Sequence, residues 1–189
     1  MLTRKSQEAL SDAVRQAAAA GNPNVDGLHL LAALIQQGGG TAAPLLQALG
    51  ADPAGVLNRT KEYLARLPRA AGATLSAPET SRPLLAAIDT ATKRARQMND
   101  EYVSTEHLLI GLAGDGGQAA TIRREAGAGP GALLAAVERV HGHMRVTSQD
   151  PEGTYQALKN STPRTLGVRS RLGCFLHRDP CLSLSPFSG

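Results

Sequence analysis

Val25-Asp-Gly-Leu-His-Leu-Leu-Ala-Ala-Leu34 returns as Val103-Ser-Thr-Glu-His-Leu-Leu-Ile-Gly-Leu112, 78 residues further on (103 minus 25). The correspondence spreads outward from these two blocks. Gly38-Gly-Gly-Thr41 answers to Gly114-Asp-Gly-Gly117, and Leu49-Gly-Ala-Asp-Pro53 to Ala126-Gly-Ala-Gly-Pro130. Solenoid units repeat every ~20–50 residues. A longer period implies a small helical unit duplicated into one pseudo-twofold domain. The surface where the copies face each other is then the first place to look for binding.

Each copy reads as four helices, which makes the fold all-α. In the first copy, about 1–67, Thr3 is placed to cap a helix with an apolar stripe at Leu10, Val14, Ala17 and Ala18. Asp26 caps the next helix, with Val25 and Leu30 spaced as a hydrophobic staple. Ser104, Val103 and Leu108 repeat that arrangement. A short third helix over 42–49 stops at Gly50, and a fourth opens with Asp52 as cap and Pro53 at its first position. Pro68–Thr80 reads as a linker from its Pro, Gly and small polar residues. The second copy, about 80–142, starts near Ser81 with a stripe at Leu84, Ile88, Ala91, Ala95 and Met98. Its third helix, with Ile122-Arg-Arg-Glu125, is expected to be more exposed than Leu45–Leu49. Together the copies make a domain over 1–143. An exit linker follows over 144–158, then a tail over 159–189 with no sustained period, expected to be disordered.

The chain has 189 residues, no Trp and 3% aromatics, so Leu, Ala, Val and Ile must fill its core. The net charge of +4 lies in the tail, where Lys159, Arg164, Arg169, Arg171 and Arg178 oppose Asp179. The remaining residues hold 15 basic and 15 acidic side chains. Basic character that suggests nucleic acid is thus absent from the domain, and neither nucleic acid nor membrane is expected as a partner. The start, Met1-Leu-Thr-Arg-Lys-Ser-Gln, lacks an apolar leader core, and no run approaches the ~20 apolar residues of a membrane span. A cytoplasmic location is expected. Both cysteines, Cys174 and Cys181, lie in the tail.

His29 and His107 occupy the same place in each copy. No carboxylate recurs one turn away and no cysteine belongs to the domain, so metal geometry is missing. The third position of a buried helix start suits an imidazole bonded to neighbouring backbone, which favours a structural reading over a catalytic one. Gly38-Gly-Gly40 and Gly114-Asp-Gly-Gly117 end helices; a phosphate loop needs a Gly-Lys pair, and the chain has none. No enzymatic activity and no cofactor are expected. His141-x-His143 and Cys174-x-x-His177-x-x-x-Cys181 are incomplete zinc sets, so no metal is expected. Asp100, Glu101 and Glu106 either sit favourably near a helix N-terminus or form an acidic rim on a groove between the copies.

Val-x-x-x-His-Leu-Leu-x-x-Leu in both copies, with Leu49-Gly-Ala-Asp-Pro53, resembles the amino-terminal Clp repeat domain of Clp-type ATP-dependent chaperones. Leu2-Thr-Arg-Lys5 and Val146-Thr-Ser-Gln-Asp-Pro-Glu-Gly-Thr-Tyr-Gln-Ala-Leu158 are similar to the ClpB-type disaggregase branch, over residues 1–158. The resemblance implies a domain that recognises unfolded or aggregated polypeptides. It places substrate-engaging positions on Thr3, Asp100 and Glu106, and an apolar groove on Leu10, Leu84 and Ile88. From Asn160 the chain departs from the family pattern in a way that fits an out-of-frame reading. The expectation is a monomeric binding module without ATPase modules. The alternative is an adaptor docking on intact Clp subunits or co-chaperones.

Overall fold

The computed structural model describes residues 1–70, 77–114, 117–141 and 146–151. Helix α1 (Arg4–Ala19) starts at Thr3, whose side-chain oxygen accepts the Ser6 N–H at 3.2 Å. Helix α2 (Gly27–Gln36) starts at Asp26, which accepts the Leu28 N–H at 3.0 Å. Helix α3 (Ala42–Ala48) stops before Gly50, which takes φ +78°. Helix α4 (Pro53–Ala65) is capped by Asp52, which accepts from the N–H groups of Ala54 and Gly55 at 3.1 and 2.9 Å. Each cap satisfies helix-start donors that have no partner within the helix. Repeat two follows with α5 (Arg82–Gln97), α6 (Thr105–Gly114), α7 (Gln118–Glu125) and α8 (Pro130–His141). Gly127 takes φ +78°, as Gly50 does. The described residues therefore form eight helices, four to a repeat, as the sequence predicts.

The second helix of each repeat carries the core. Every residue from Gly27 to Ile35 in α2 is buried, and so is every residue from Thr105 to Leu112 in α6. Each buried leucine contributes about 1.5–3 kcal/mol relative to an exposed one, which fixes these two helices at the centre. They pack on each other; α1 lies on α2, and α5 on α6. The outer helices cross over: α4 of repeat one packs on α7 of repeat two, and α3 packs on α8.

The repeats also exchange backbone at their starts. Strand β1 (Asn24–Val25) pairs in parallel with β2 (Glu79–Thr80), Val25 opposite Thr80. Leu2 forms the reciprocal parallel bridge with Val103. The hydrogen bonds match: Ser81 N–H donates to Val25 O and Thr3 N–H to Val103 O, both at 3.0 Å. Glu79 N–H donates to Pro23 O at 2.9 Å, and the Met1 ammonium to Glu101 O at 3.3 Å. Neither pairing is visible in local periodicity. Pro68–Thr80, read as a plain linker, thus ends in a strand, and Pro68 and Ala70 are also tied back to repeat one.

Two expectations about faces need correction. Helix α1 buries Ala9, Ala13 and Ala17 at 0% exposure, whereas Val14 is 41% exposed, Ala18 is exposed and Leu10 is only half-buried. Small side chains let α1 approach the leucine-filled α2 closely, so size rather than hydrophobicity selects the inner face. Helix α7 is not the more exposed third helix. Ile122 and Arg123 are buried, as are Leu45 and Leu46 in α3. Arg123 donates Nη1–H to Leu109 O at 2.7 Å and Nε–H to Ala119 O at 3.2 Å.

Candidate functional site

A left-handed residue ends the first helix of each repeat, Gly21 at φ +71° and Asn99 at φ +58°. The chain then turns so that Asn22 N–H donates to Ala17 O and Asp100 N–H to Ala95 O, both at 2.9 Å. This delivers the Asn22 or Asp100 side chain to the histidine of the next helix. His29 Nδ1 accepts the Asp26 N–H at 3.0 Å, so Nε2 carries the proton and donates to Asn22 Oδ1 at 3.2 Å. His107 Nδ1 accepts the Ser104 N–H at 3.1 Å, and its Nε2–H faces Asp100 Oδ2 at 3.2 Å. The Ser104 hydroxyl also lies 2.7 Å from Nδ1. Both rings are essentially buried. Burial holds the His29 pKa below the usual imidazole value, against the Asp26 charge, which raises it. His29 closes a capping box with Asp26 in the place usually taken by Glu or Gln, and His107 Nδ1 bonds the Ser104 N–H from the same position.

The three polar positions expected to engage substrate lie inside the molecule. Thr3 is 0% exposed; its hydroxyl donates to Ser6 Oγ at 3.0 Å. The Asp100 carboxylate is 2% exposed, between His107 and the Val146 N–H, which donates to Oδ1 at 2.7 Å. Glu106 is 0% exposed and accepts from the Thr41 hydroxyl at 2.9 Å. Of the three residues in the acidic-rim reading, only Glu101 is exposed; Asp100 and Glu106 lie in a buried seam, because α6 is covered by repeat one and by the segment at Val146. Thr41 and Val146, which the sequence marks only as parts of longer motifs, are its partners. Applying the repeat offset to the histidine pair would have marked position 146 as the counterpart of Pro68.

The three apolar positions separate. Leu84 is 1% exposed and belongs to the core. Leu10 on α1 and Ile88 on α5 are equivalent residues, both half-buried against that core. Each continues into a more exposed neighbour on its own helix face, Leu10 into Val14 at 41% and Ile88 into Leu85 at 54%. A cleft of about 280 Å³ opens between Gly27, Leu67, Pro83 and Gly117. In the equivalent place across the pseudo-twofold, Thr41 Oγ1 meets Thr105 Oγ1 at 2.7 Å. Glycines at both counterpart positions leave the space that those threonines fill.

Among the described residues, no group of three or more His, Cys, Asp and Glu is placed to hold a metal ion. Among them, too, no helix is long and apolar enough to cross a membrane. The His141 side chain, His143, Cys174, His177, Cys181 and the tail from 159 lie outside the described residues.

The Clp repeat (R) N-terminal domain family matches residues 1–126. The chaperone protein ClpB of Mycobacterium bovis is 49% identical over 168 residues, which are 88% of this chain and 20% of that protein. ClpB of Corynebacterium glutamicum is 44% identical over 164 residues, 86% of this chain and 19% of that protein. The chain thus spans about one fifth of the length of the curated relatives it matches. In three dimensions it is similar to the Hsp104 N-terminal domain of Candida albicans, with a TM-score of 0.69 at 20% identity, covering 80% of this chain and 98% of that one. Repeat, fold and sequence agree: the chain belongs to the Clp repeat N-terminal domain family, and its similarity runs to the N-terminal region of ClpB-type chaperones.

Proposed function

We propose that this domain recognises exposed apolar segments of unfolded or aggregated polypeptides on behalf of ClpB-type disaggregation. The observation that carries the reading is a pair of outward apolar strips on the first helix of each repeat, Leu10 with Val14 on α1 and Leu85 with Ile88 on α5, of which Leu10 and Ile88 are equivalent positions. A client held by such strips needs no particular sequence, because apolar burial is non-directional. Two small strips also suit weak, exchangeable capture, each buried side chain contributing about 1.5–3 kcal/mol at most. Leu84 supports the surface from the core. Glu106 acts on it from beneath by bonding across the seam between repeats, as the Thr3 N–H does to Val103 O, and Asp100 acts through its contacts with His107 and Val146.

Binding of the full chain to a fluorescently labelled, permanently unfolded protein tests this reading. We expect binding that survives 0.5 M salt, on the order of the screening limit for surface charge. Ile88→Asp should weaken it at least about tenfold with the helical circular dichroism signal intact. Undiminished binding by a folded Ile88→Asp, Leu10→Asp double variant would refute the proposed surface.

A further inference from the structure

The histidine–Asx pairs do more than orient a ring: in each repeat the same Asx side chain also holds the segment that follows the fourth helix. In repeat one, Asn22 Nδ2–H donates to Pro68 O at 2.9 Å. In repeat two, the Val146 N–H donates to Asp100 Oδ1 at 2.7 Å. Pro68 and Val146 are separated by the repeat offset of 78 (146 minus 68), as are Asn22 and Asp100. The chemistry is matched at each site. A proline has no N–H, so it can only accept, and a carboxamide supplies the donor. Valine presents an N–H, and a carboxylate supplies the acceptor while its other oxygen faces His107 Nε2.

The segment at 146 is held at further points. Val146 is 0% exposed, and its carbonyl accepts the Glu101 N–H at 3.1 Å. Gln149 O accepts the Arg4 N–H at 2.8 Å, on the residue after the Thr3 cap. Thr3 N–H in turn bonds to Val103 O. The start of α1, the turn at 100–103 and the segment at 146–149 are therefore one connected hydrogen-bonded unit.

We infer that Asp100 is the positioning residue of a clasp that fixes the departing segment to repeat two, and that its part in function runs through this clasp rather than through contact with a bound polypeptide. Closed, the clasp buries Val146 and fixes the direction in which the chain leaves the domain. Open, it frees that direction without disturbing the α2–α6 core. Asparagine at 100 has one oxygen for two donors, so it cannot replace the carboxylate. The pair asparagine and proline, already used at 22 and 68, can.

Hydrogen exchange on the full chain tests the clasp at the amides of Val146 and Glu101. In Asp100→Asn we expect both to exchange at least about tenfold faster, with the amides of 108–112 in α6 unchanged. Val146→Pro alone should expose the Glu101 amide in the same way, and it leaves the His107–Asp100 pair untouched if Asp100→Asn destabilises the repeat. Asp100→Asn combined with Val146→Pro should restore Glu101 protection by reproducing the solution of repeat one. Unchanged exchange at Glu101 in both single variants would overturn the clasp. So would loss of binding to unfolded protein in Asp100→Asn with wild-type exchange at both amides, which would assign Asp100 to the client. Failure of the apolar strips to bind, with the exchange pattern as expected, would refute only the client reading.

Discussion

Repeat one and repeat two share a topology but not a tolerance. Where α2 carries Ala33 against α1, α6 carries Gly111 against α5, and the helices of repeat two close to backbone contact. A Cβ built on Gly111 would stand 2.2 Å from Ala87 O and 3.1 Å from the Ala91 methyl. The third helices differ as well: by the alignment of Gly50 with Gly127, the apolar Leu46 corresponds to Arg123, both at 0% exposure. Repeat one is filled with interchangeable apolar volume. Repeat two depends on a close backbone contact, a buried guanidinium and a carboxylate.

The sharpest way to break this comparison is Gly111→Ala. We expect a loss of about 3 kcal/mol, since a rigid backbone carbonyl must move to admit the methyl. Ala33→Gly in repeat one should cost about 1 kcal/mol, mostly helix propensity. Urea unfolding of both variants gives the two numbers; equal losses would dissolve the contrast.

A second contrast is readable with pH. His29 is buried neutral beside a neutral amide, with its pKa lowered by burial. The unfolded ring binds protons from about 6.5 downward, so the unfolded state binds more protons and stability falls as pH drops below that value. His29→Gln keeps an acceptor for the Asp26 N–H and a donor for Asn22 without titrating. Its stability difference from wild type should shift in the variant's favour between pH 7.5 and 5.5, measured by thermal unfolding at each pH. A difference that does not change with pH would place the His29 titration outside folding.

The smallest effect sharpens the comparison from the other side. Asp52 caps α4 through two N–H bonds, whereas Gly129 stands before α8 with its carbonyl accepting the Leu133 N–H and open space where a side chain would go. Gly129→Asp should therefore stabilise repeat two by ~0.5 kcal/mol. Asp52→Gly should cost repeat one a similar amount, which a shift in denaturation midpoint can resolve.

Features carried by local chemistry were legible in the sequence. Caps at Thr3, Asp26 and Asp52, glycine stops and the buried histidines each follow from a few adjacent residues. The inner face of α1 was not, because alanine against leucine is chosen by the space left between helices. Glu106 misled for a related reason. A carboxylate in the first turn of a helix looks favourable at a surface and is equally favourable inside when a hydroxyl, here Thr41, comes from the other repeat. Partners brought together by the reciprocal pairing of the two starts have no local signature, and Asp100 with Val146 belongs to that class.

That reciprocal pairing also sets an order of assembly. Leu2 and Thr3 are bonded to Val103, and the Met1 ammonium to a carbonyl 100 residues away. During synthesis at about 5–20 residues per second, the beginning of α1 emerges many seconds before the strand residue that fastens it. Contacts this remote in sequence pay their loop-closure entropy late. The first turn of the first helix is thus among the last parts of the domain to be secured, and the nascent chain carries a loose leading end until repeat two arrives.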